Sequence, residues 1–145
     1  MASRSARARR APAPEQLAAE TPCPCGLPAA YGACCGRFHS GAAQASSAEL
    51  LMRSRYTAFV AEDTAYLLRT WHPDTRPPTL DLDSRMVWEG LEITDTTEGS
   101  PFHTTGTVTF RARYRLRGQR GELHERSTFG RVGGRWVYVD GTFIE

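Results

Sequence analysis

Cys23-Pro24-Cys25-Gly26 is followed, eight residues later, by the adjacent pair Cys34-Cys35, and these are all four cysteines of a 145-residue chain. Packed into thirteen consecutive positions, they read as one metal site. A Cys-x-Cys pair can sit on a tight turn with both thiolates on one side. Adjacent cysteines converge on the same ion if the backbone enters a helical turn there, because successive helical side chains point only about 100° apart. Four sulfurs close a tetrahedron with no open position, the pattern of a structural zinc site rather than a catalytic one. Disulfides are the rival reading. They are disfavoured because no apolar run follows the basic N-terminus, as a secretory signal would require, and because a bridge between neighbours Cys34 and Cys35 would be strained. In one variant His39 replaces a cysteine as ligand; otherwise it hydrogen-bonds a sulfur or sits at the surface. The favoured ligand set is Cys23, Cys25, Cys34 and Cys35.

A second group, Arg55, His72, Glu89 and Glu125, consists of polar residues near positions where the surrounding pattern calls for apolar ones. Inward carboxylates beside an inward arginine make either a buried ion-pair network or a polar pocket. In the pocket reading Glu125 or Glu89 serves as general base, and Arg55 or His72 fixes an anionic group.

The elements that position these residues follow from periodicity. Ser46 followed three residues later by Glu49 has the form of a capping box that opens a helix. Ala48, Leu51, Met52, Tyr56 and Phe59 recur at helical spacing as its buried stripe, and Arg55 lies on that stripe. A buried guanidinium there calls for a carboxylate partner elsewhere in the fold. Asp63 caps a second, short helix through Tyr66, Leu67 and Leu68, which stops near Trp71-His72 because Pro73 follows. Residues 74–78 are a loop.

Beyond it the period becomes two. Strands are expected at Val87–Asp95, Thr107–Arg117, Glu122–Val132 and Arg135–Asp140, with turns at Gly118–Gly121 and Gly133-Gly134. In the second strand Val108, Phe110, Ala112, Tyr114 and Leu116 face one way, and Arg111, Arg113 and Arg115 the other. Parity places Glu125 on the inner face with Leu123 and Phe129, and Glu89 on that of Leu91 and Ile93. Helices followed by an antiparallel meander describe an α+β domain, its helices packed on one face of a curved sheet.

Composition bounds the rest. The formal charge is +2, but residues 1–10 hold four arginines and no acid, leaving 14 Arg against 16 Asp plus Glu elsewhere, a net −2. The basic character belongs to the N-terminal segment, which has the composition of a solvated, disordered tail and also that of a transit peptide. No apolar run approaches the ~20 residues of a membrane span. Reduced thiols and no export signal point to the cytoplasm. The organisation reads as a disordered tail over 1–21, a zinc module over 22–41, and the α+β domain over 46–145.

These residues also carry a resemblance. Cys23-Pro24-Cys25-Gly26 through Cys34-Cys35-Gly36 resembles the SEC-C motif, the zinc module known from the C-terminal end of the SecA translocation ATPase. Leu51–Tyr56, Thr70-Trp71-His72-Pro73, Trp88–Ile93, Leu123–Ser127 and Trp136–Gly141 are similar to the YchJ-like bacterial family. The resemblance implies zinc on the four cysteines and a middle domain of the nuclear transport factor 2 (NTF2)-like kind, a cone in which a bent sheet wraps around helices. It implies no activity. Where SEC-C modules carry Ser-Gly and lysines between the cysteine pairs, this chain has Leu27, Pro28, Ala29 and Ala30, so no basic contact surface is expected there.

Three function classes compete. The leading one is an adaptor whose zinc module docks a protein partner, while the cone supplies a rigid platform or holds a small ligand. The second is an isomerase, dehydratase or hydrolase working in the cone. The third, contact with nucleic acid or the ribosome through arginines, is disfavoured by the acidic balance outside the tail. A homodimer through the sheets, with Arg111–Arg115 at the interface, is a further expectation.

Overall fold

The computed structural model describes residues 17–145. A 3₁₀ turn (Tyr31–Ala33) leads into α1 (Cys35–His39), α2 (Ala48–Val60) and α3 (Thr64–Arg69), followed by four strands: β1 (Met86–Glu98), β2 (Gly106–Leu116), β3 (Gln119–Val132) and β4 (Arg135–Phe143). The strands form one antiparallel sheet in the order β1-β2-β3-β4, a meander in which each strand pairs with its neighbour in sequence. Register breaks at Trp88/Gly90 and Ile93/Asp95 in β1, and beside Thr128/Phe129 where β3 meets β4, are bulges that increase local twist and bend the sheet around the helices. The α+β class and the cone expected from sequence are the architecture found.

Helix α2 is the axis of the molecule. Its Ala48, Leu51, Met52 and Tyr56 pack against Val108, Phe110 and Ala112 of β2, Phe129 of β3 and Trp136 of β4. The sequence stripe sees only this face. The opposite side is buried too, with Ser54, Thr57 and Ala58 fully covered by α3 and the cysteine segment. Such a helix is buried nearly all round, so its polar residues must find partners within the protein.

Its cap differs by one residue from expectation. Ser47, not Ser46, is the N-cap, and its hydroxyl accepts from Leu50 N at 3.1 Å. The Ser46 carbonyl accepts from the Trp136 indole at 3.3 Å, and Glu49 pairs with Arg53 at 3.0 Å rather than reaching back to the cap. In α3, Asp63 is the cap, accepting from Tyr66 N at 3.0 Å.

Both hairpin turns after β2 are two residues long. Arg117 and Gly118 have φ of 54° and 78°, and Gly133 and Gly134 have 60° and 82°, the left-handed pair that type I′ turns require. The wider Gly118–Gly121 turn is therefore corrected to Arg117-Gly118, with Gly121 inside β3. Gly121 is a packing glycine, because the Tyr114 ring of β2 occupies the space where a Cβ would stand.

The lead also needs redrawing. Residues 1–16 of the expected tail lie outside the described residues, but Tyr31 N donates to Thr21 O at 2.7 Å and Gly32 N to Ala19 O at 2.9 Å, so residues 19–21 belong to the cysteine module.

Candidate functional site

The cysteine module is built from backbone first. Pro22 and Ala30 form an isolated antiparallel bridge, Cys23 N donates to Ala29 O at 2.9 Å, and Gly26 N closes the Cys-Pro-Cys-Gly turn on Cys23 O at 3.2 Å. Gly26 at φ 93° takes a conformation costly for other residues. The chain returns through the 3₁₀ turn, and Cys35 opens α1. All four sulfurs are buried and lie within 4.8 Å of one another, with Cys25 Sγ and Cys34 Sγ 3.6 Å apart. Zn–S bonds of ~2.3 Å in a tetrahedron place sulfurs about 3.8 Å apart, so this cluster matches what a tetrahedral ion needs. Hydrogen bonding with Cys23 and burial push the Cys25 thiol up to about 11, and Cys35 rises for the same reasons. Cys23 moves down because its neighbours Cys25 and Cys35 donate to it. Four thiolates at this spacing repel one another, and a divalent cation among them removes that penalty.

The module is bolted to α2. Arg53 Nη1 donates to Cys25 O at 2.7 Å, and Thr57 Oγ1 stands 3.9 Å from Cys23 Sγ. His39 is neither a ligand nor a partner of sulfur. Its Nε2 meets the Ser54 carbonyl at 2.9 Å and its Nδ1 meets the Tyr31 hydroxyl at 2.7 Å. Since a carbonyl only accepts, Nε2 carries the proton and Nδ1 accepts from Tyr31. Burial pushes the His39 pKa down, which keeps this neutral tautomer. The Ser54 hydroxyl continues the network to Tyr66 at 2.7 Å, joining module, α2 and α3.

On the other side of α2 a cavity of about 200 Å³ opens between helix and sheet. Arg55, Trp71, Glu125, Ser127 and Tyr138 supply its polar lining, and residues such as Phe59, Trp88 and Phe110 its apolar walls. Arg55 does not have the carboxylate expected for it. Its Nη1 donates to Leu67 O at 2.8 Å and Thr70 Oγ1 at 2.7 Å, satisfying a carbonyl that the end of α3 leaves free. Its guanidinium stands 4.6 Å from the Tyr138 ring centroid and 5.2 Å from that of Trp71. Such stacking suits arginine, whose weakly hydrated plane tolerates burial. Burial pushes its pKa down to about 10, and no acid lies within 4.0 Å of it among the described residues. Glu125 accepts from Ser127 Oγ at 3.3 Å, and burial raises its pKa.

The family model described as YchJ, middle NTF2-like domain, matches residues 47–141. The chain belongs to the YchJ-like UPF0225 family. A UPF0225 protein of Streptomyces avermitilis is 63% identical over 143 residues, covering 99% of both chains, and one of Streptomyces coelicolor is 65% identical over 124 residues, covering 86% of this chain and 97% of its own. Among solved structures, the solution structure of a SEC-C motif containing protein from Rhodopseudomonas palustris has a TM-score of 0.75 at 33% identity, covering 85% of this chain and 98% of that one. The crystal structure of a SEC-C motif containing protein from Psychrobacter arcticus has a TM-score of 0.69 at 27% identity, covering 88% and 85%.

Within this UPF0225 fold the residues singled out by sequence part company. Arg55 and Glu125 line one cavity. Glu89 does not join them, because the bulge at Trp88/Gly90 inserts a residue, leaves Trp88 and Leu91 inward opposite Tyr114 and Ala112, and turns Glu89 to the outer face. There it pairs with Arg115 at 2.6 Å. His72 stays on the rim, where its Nδ1 accepts from Asp74 N at 3.0 Å and its own N donates to Tyr138 O at 2.7 Å. Arg111 and Arg113 of the outer face lie 3.9 Å from Glu122 and Glu92, so the arginine stripe of this UPF0225 chain is balanced by carboxylates rather than free to follow phosphates. No helix of the described residues is long and apolar enough to cross a membrane.

Sequence reasoning passed over Trp71, Ser127 and Tyr138 as pocket residues. One local signal was available for Glu125. A Cβ at Gly141, across from β3, would run into the Glu125 carboxylate, so a small residue marks where that side chain lies.

Proposed function

We propose that this protein is a cytoplasmic, zinc-stabilised small-ligand-binding protein whose working site is the cone cavity. The observation that carries the reading is that Arg55 and Glu125 face one solvent-reached cavity without pairing to each other. A structural ion-pair network would have joined them. A pocket keeps its polar groups for an occupant.

Cys23, Cys25, Cys34 and Cys35 hold the zinc, which supplies crosslinking and charge neutralisation rather than reactivity, since four sulfurs leave no position for substrate. The module, residues 19–41, and the NTF2-like domain, 46–145, act as one body through the contacts of Arg53, Ser54 and Thr57. Those contacts weigh against the adaptor reading that sequence ranks first, because the module's inner surface is already engaged by α2.

The test uses purified full-length protein. Elemental analysis should return one zinc per chain. A small-fragment screen read by two-dimensional NMR should move the indole N–H signals of Trp71 and Trp88, which line the cavity, and leave that of Trp136, which donates to Ser46 O outside it. A screen that moves no cavity indole would overturn the ligand-binding reading, and metal-free protein of unchanged stability would overturn the role of zinc.

A further inference from the structure

We propose that the cone cavity takes a small organic monoanion, a carboxylate on an apolar planar body, with the Arg55 guanidinium on the carboxylate and the aromatic walls around the body. This rests on the ligand-binding reading above and adds the chemistry of the occupant. The starting point is charge. Arg55 is only 4% exposed, lines the cavity, and has no acid within 4.0 Å among the described residues. A buried cation without a counter-charge is among the least favourable arrangements a fold can keep, and an anionic ligand relieves it.

The direction of binding follows from how the guanidinium is held. Tyr138 and Trp71 stand over it at 4.6 Å and 5.2 Å, and Nη1 is committed to Leu67 O and Thr70 Oγ1. With Nη1 committed, the edge formed by Nε and Nη2 is what remains. Nε and Nη2 make no hydrogen bond among the described residues. That edge is the planar fork that matches a carboxylate with two parallel bonds.

The Trp71 indole agrees in type. The Trp71 Nε1–H is buried and has no partner among the described residues, and an indole can only donate. Unspent guanidinium and indole donors on one side of the molecule select a ligand that accepts. A single cation fits one negative charge better than the two of a phosphate ester.

Size and shape complete the description. An apolar cavity of about 150 Å³ suffices for a benzene-sized molecule, and drug-sized ligands fill ~300–1,000 Å³. At about 200 Å³, this cavity has room for one ring and a small head group. Met52, Phe59, Leu80, Trp88, Phe110 and Leu123 give that ring an apolar seat.

The experiment titrates benzoate, benzyl alcohol and benzylammonium into full-length zinc-loaded protein and follows the Trp71, Trp88 and Trp136 indole signals. Benzoate is expected to bind at least about tenfold more tightly than benzyl alcohol, the size of one charge-assisted hydrogen bond, and benzylammonium more weakly than either. Arg55→Met should erase the preference for benzoate. Trp71→Phe keeps the ring and removes the N–H, so it should weaken benzoate several-fold while sparing benzyl alcohol; this variant serves if Arg55→Met does not fold. Glu125→Gln leaves Arg55 and Trp71 in place and should keep the preference. Equal binding of benzoate and benzyl alcohol, or tighter binding of benzylammonium, overturns the proposal yet leaves the cavity a ligand site. A benzoate preference that survives both Arg55→Met and Trp71→Phe also overturns it. Binding of none of the three removes both the proposal and the ligand-binding reading beneath it.

Discussion

The two flanks of α2 solve opposite problems. On one, four sulfurs lie within 4.8 Å of each other, and the surrounding groups, Arg53, His39, Ser54 and Tyr66, all have partners. On the other, Arg55, Trp71 and Glu125 line a cavity; the guanidinium and the buried indole N–H have donors unspent, and the carboxyl is met only by Ser127. Buried polar groups are normally matched, and a protein that matches them on one side of a helix shows that its fold can do so. Unmatched groups on the other side are what the proposed ligand would meet. The closed side holds the helix in place.

Cys25→Ser should produce the largest effect if that division is right. It removes a ligand and leaves three crowded thiols, so the bound metal should be lost and unfolding free energy should fall by at least about 3 kcal/mol, read by elemental analysis and thermal melting. Unchanged melting would mean that the cysteine flank is an accessory, and the comparison would fail. His39→Ala comes next. It strands the buried Ser54 carbonyl and the Tyr31 hydroxyl, and should cost about 2–3 kcal/mol while the metal content stays intact. Loss of metal in this variant would show that His39 belongs to the coordination set after all.

Glu125→Gln sharpens the other side. Burial raises the carboxyl's folded pKa above its ordinary value of 4.5, so the folded state holds a proton that the unfolded chain releases. Wild-type stability relative to the glutamine variant should then fall as pH rises from about 4.5 through the raised value, and level off above it. The difference should stay below about 1 kcal/mol because water reaches the group. A constant difference across that range would place Glu125 in a fully compensated setting and remove it from the open flank. Glu89→Gln should do least. On the outer face its pair with Arg115 is screened, so denaturant midpoints should move by less than about 1 kcal/mol and cavity indole signals not at all.

Legibility in sequence follows the same division. The cysteine cluster lies within thirteen residues, so its chemistry is visible without knowing how distant segments meet. The Asp63 cap and the parity of β2 are likewise local, set by one turn of helix or by alternation along one strand. Glu89 shows the limit. Its parity was read correctly for a regular strand, and a single inserted residue at Trp88/Gly90 reversed it. Arg55 shows another: burial was evident from the stripe, but a partner was sought among acids, whereas aromatic faces and a helix-end carbonyl received it.

The amino-acid order alone determined the sequence of elements, the faces of β2 and β3, and the four sulfurs as a unit, because each of these depends on neighbours a few residues apart. Only the folded arrangement decided that α2 is covered on both sides, that His39 serves Ser54 rather than a metal, and that Arg55, Trp71, Glu125 and Tyr138 meet around one cavity. Those outcomes depend on where bulges bend the sheet and which surfaces press together. No periodicity along the chain encodes them.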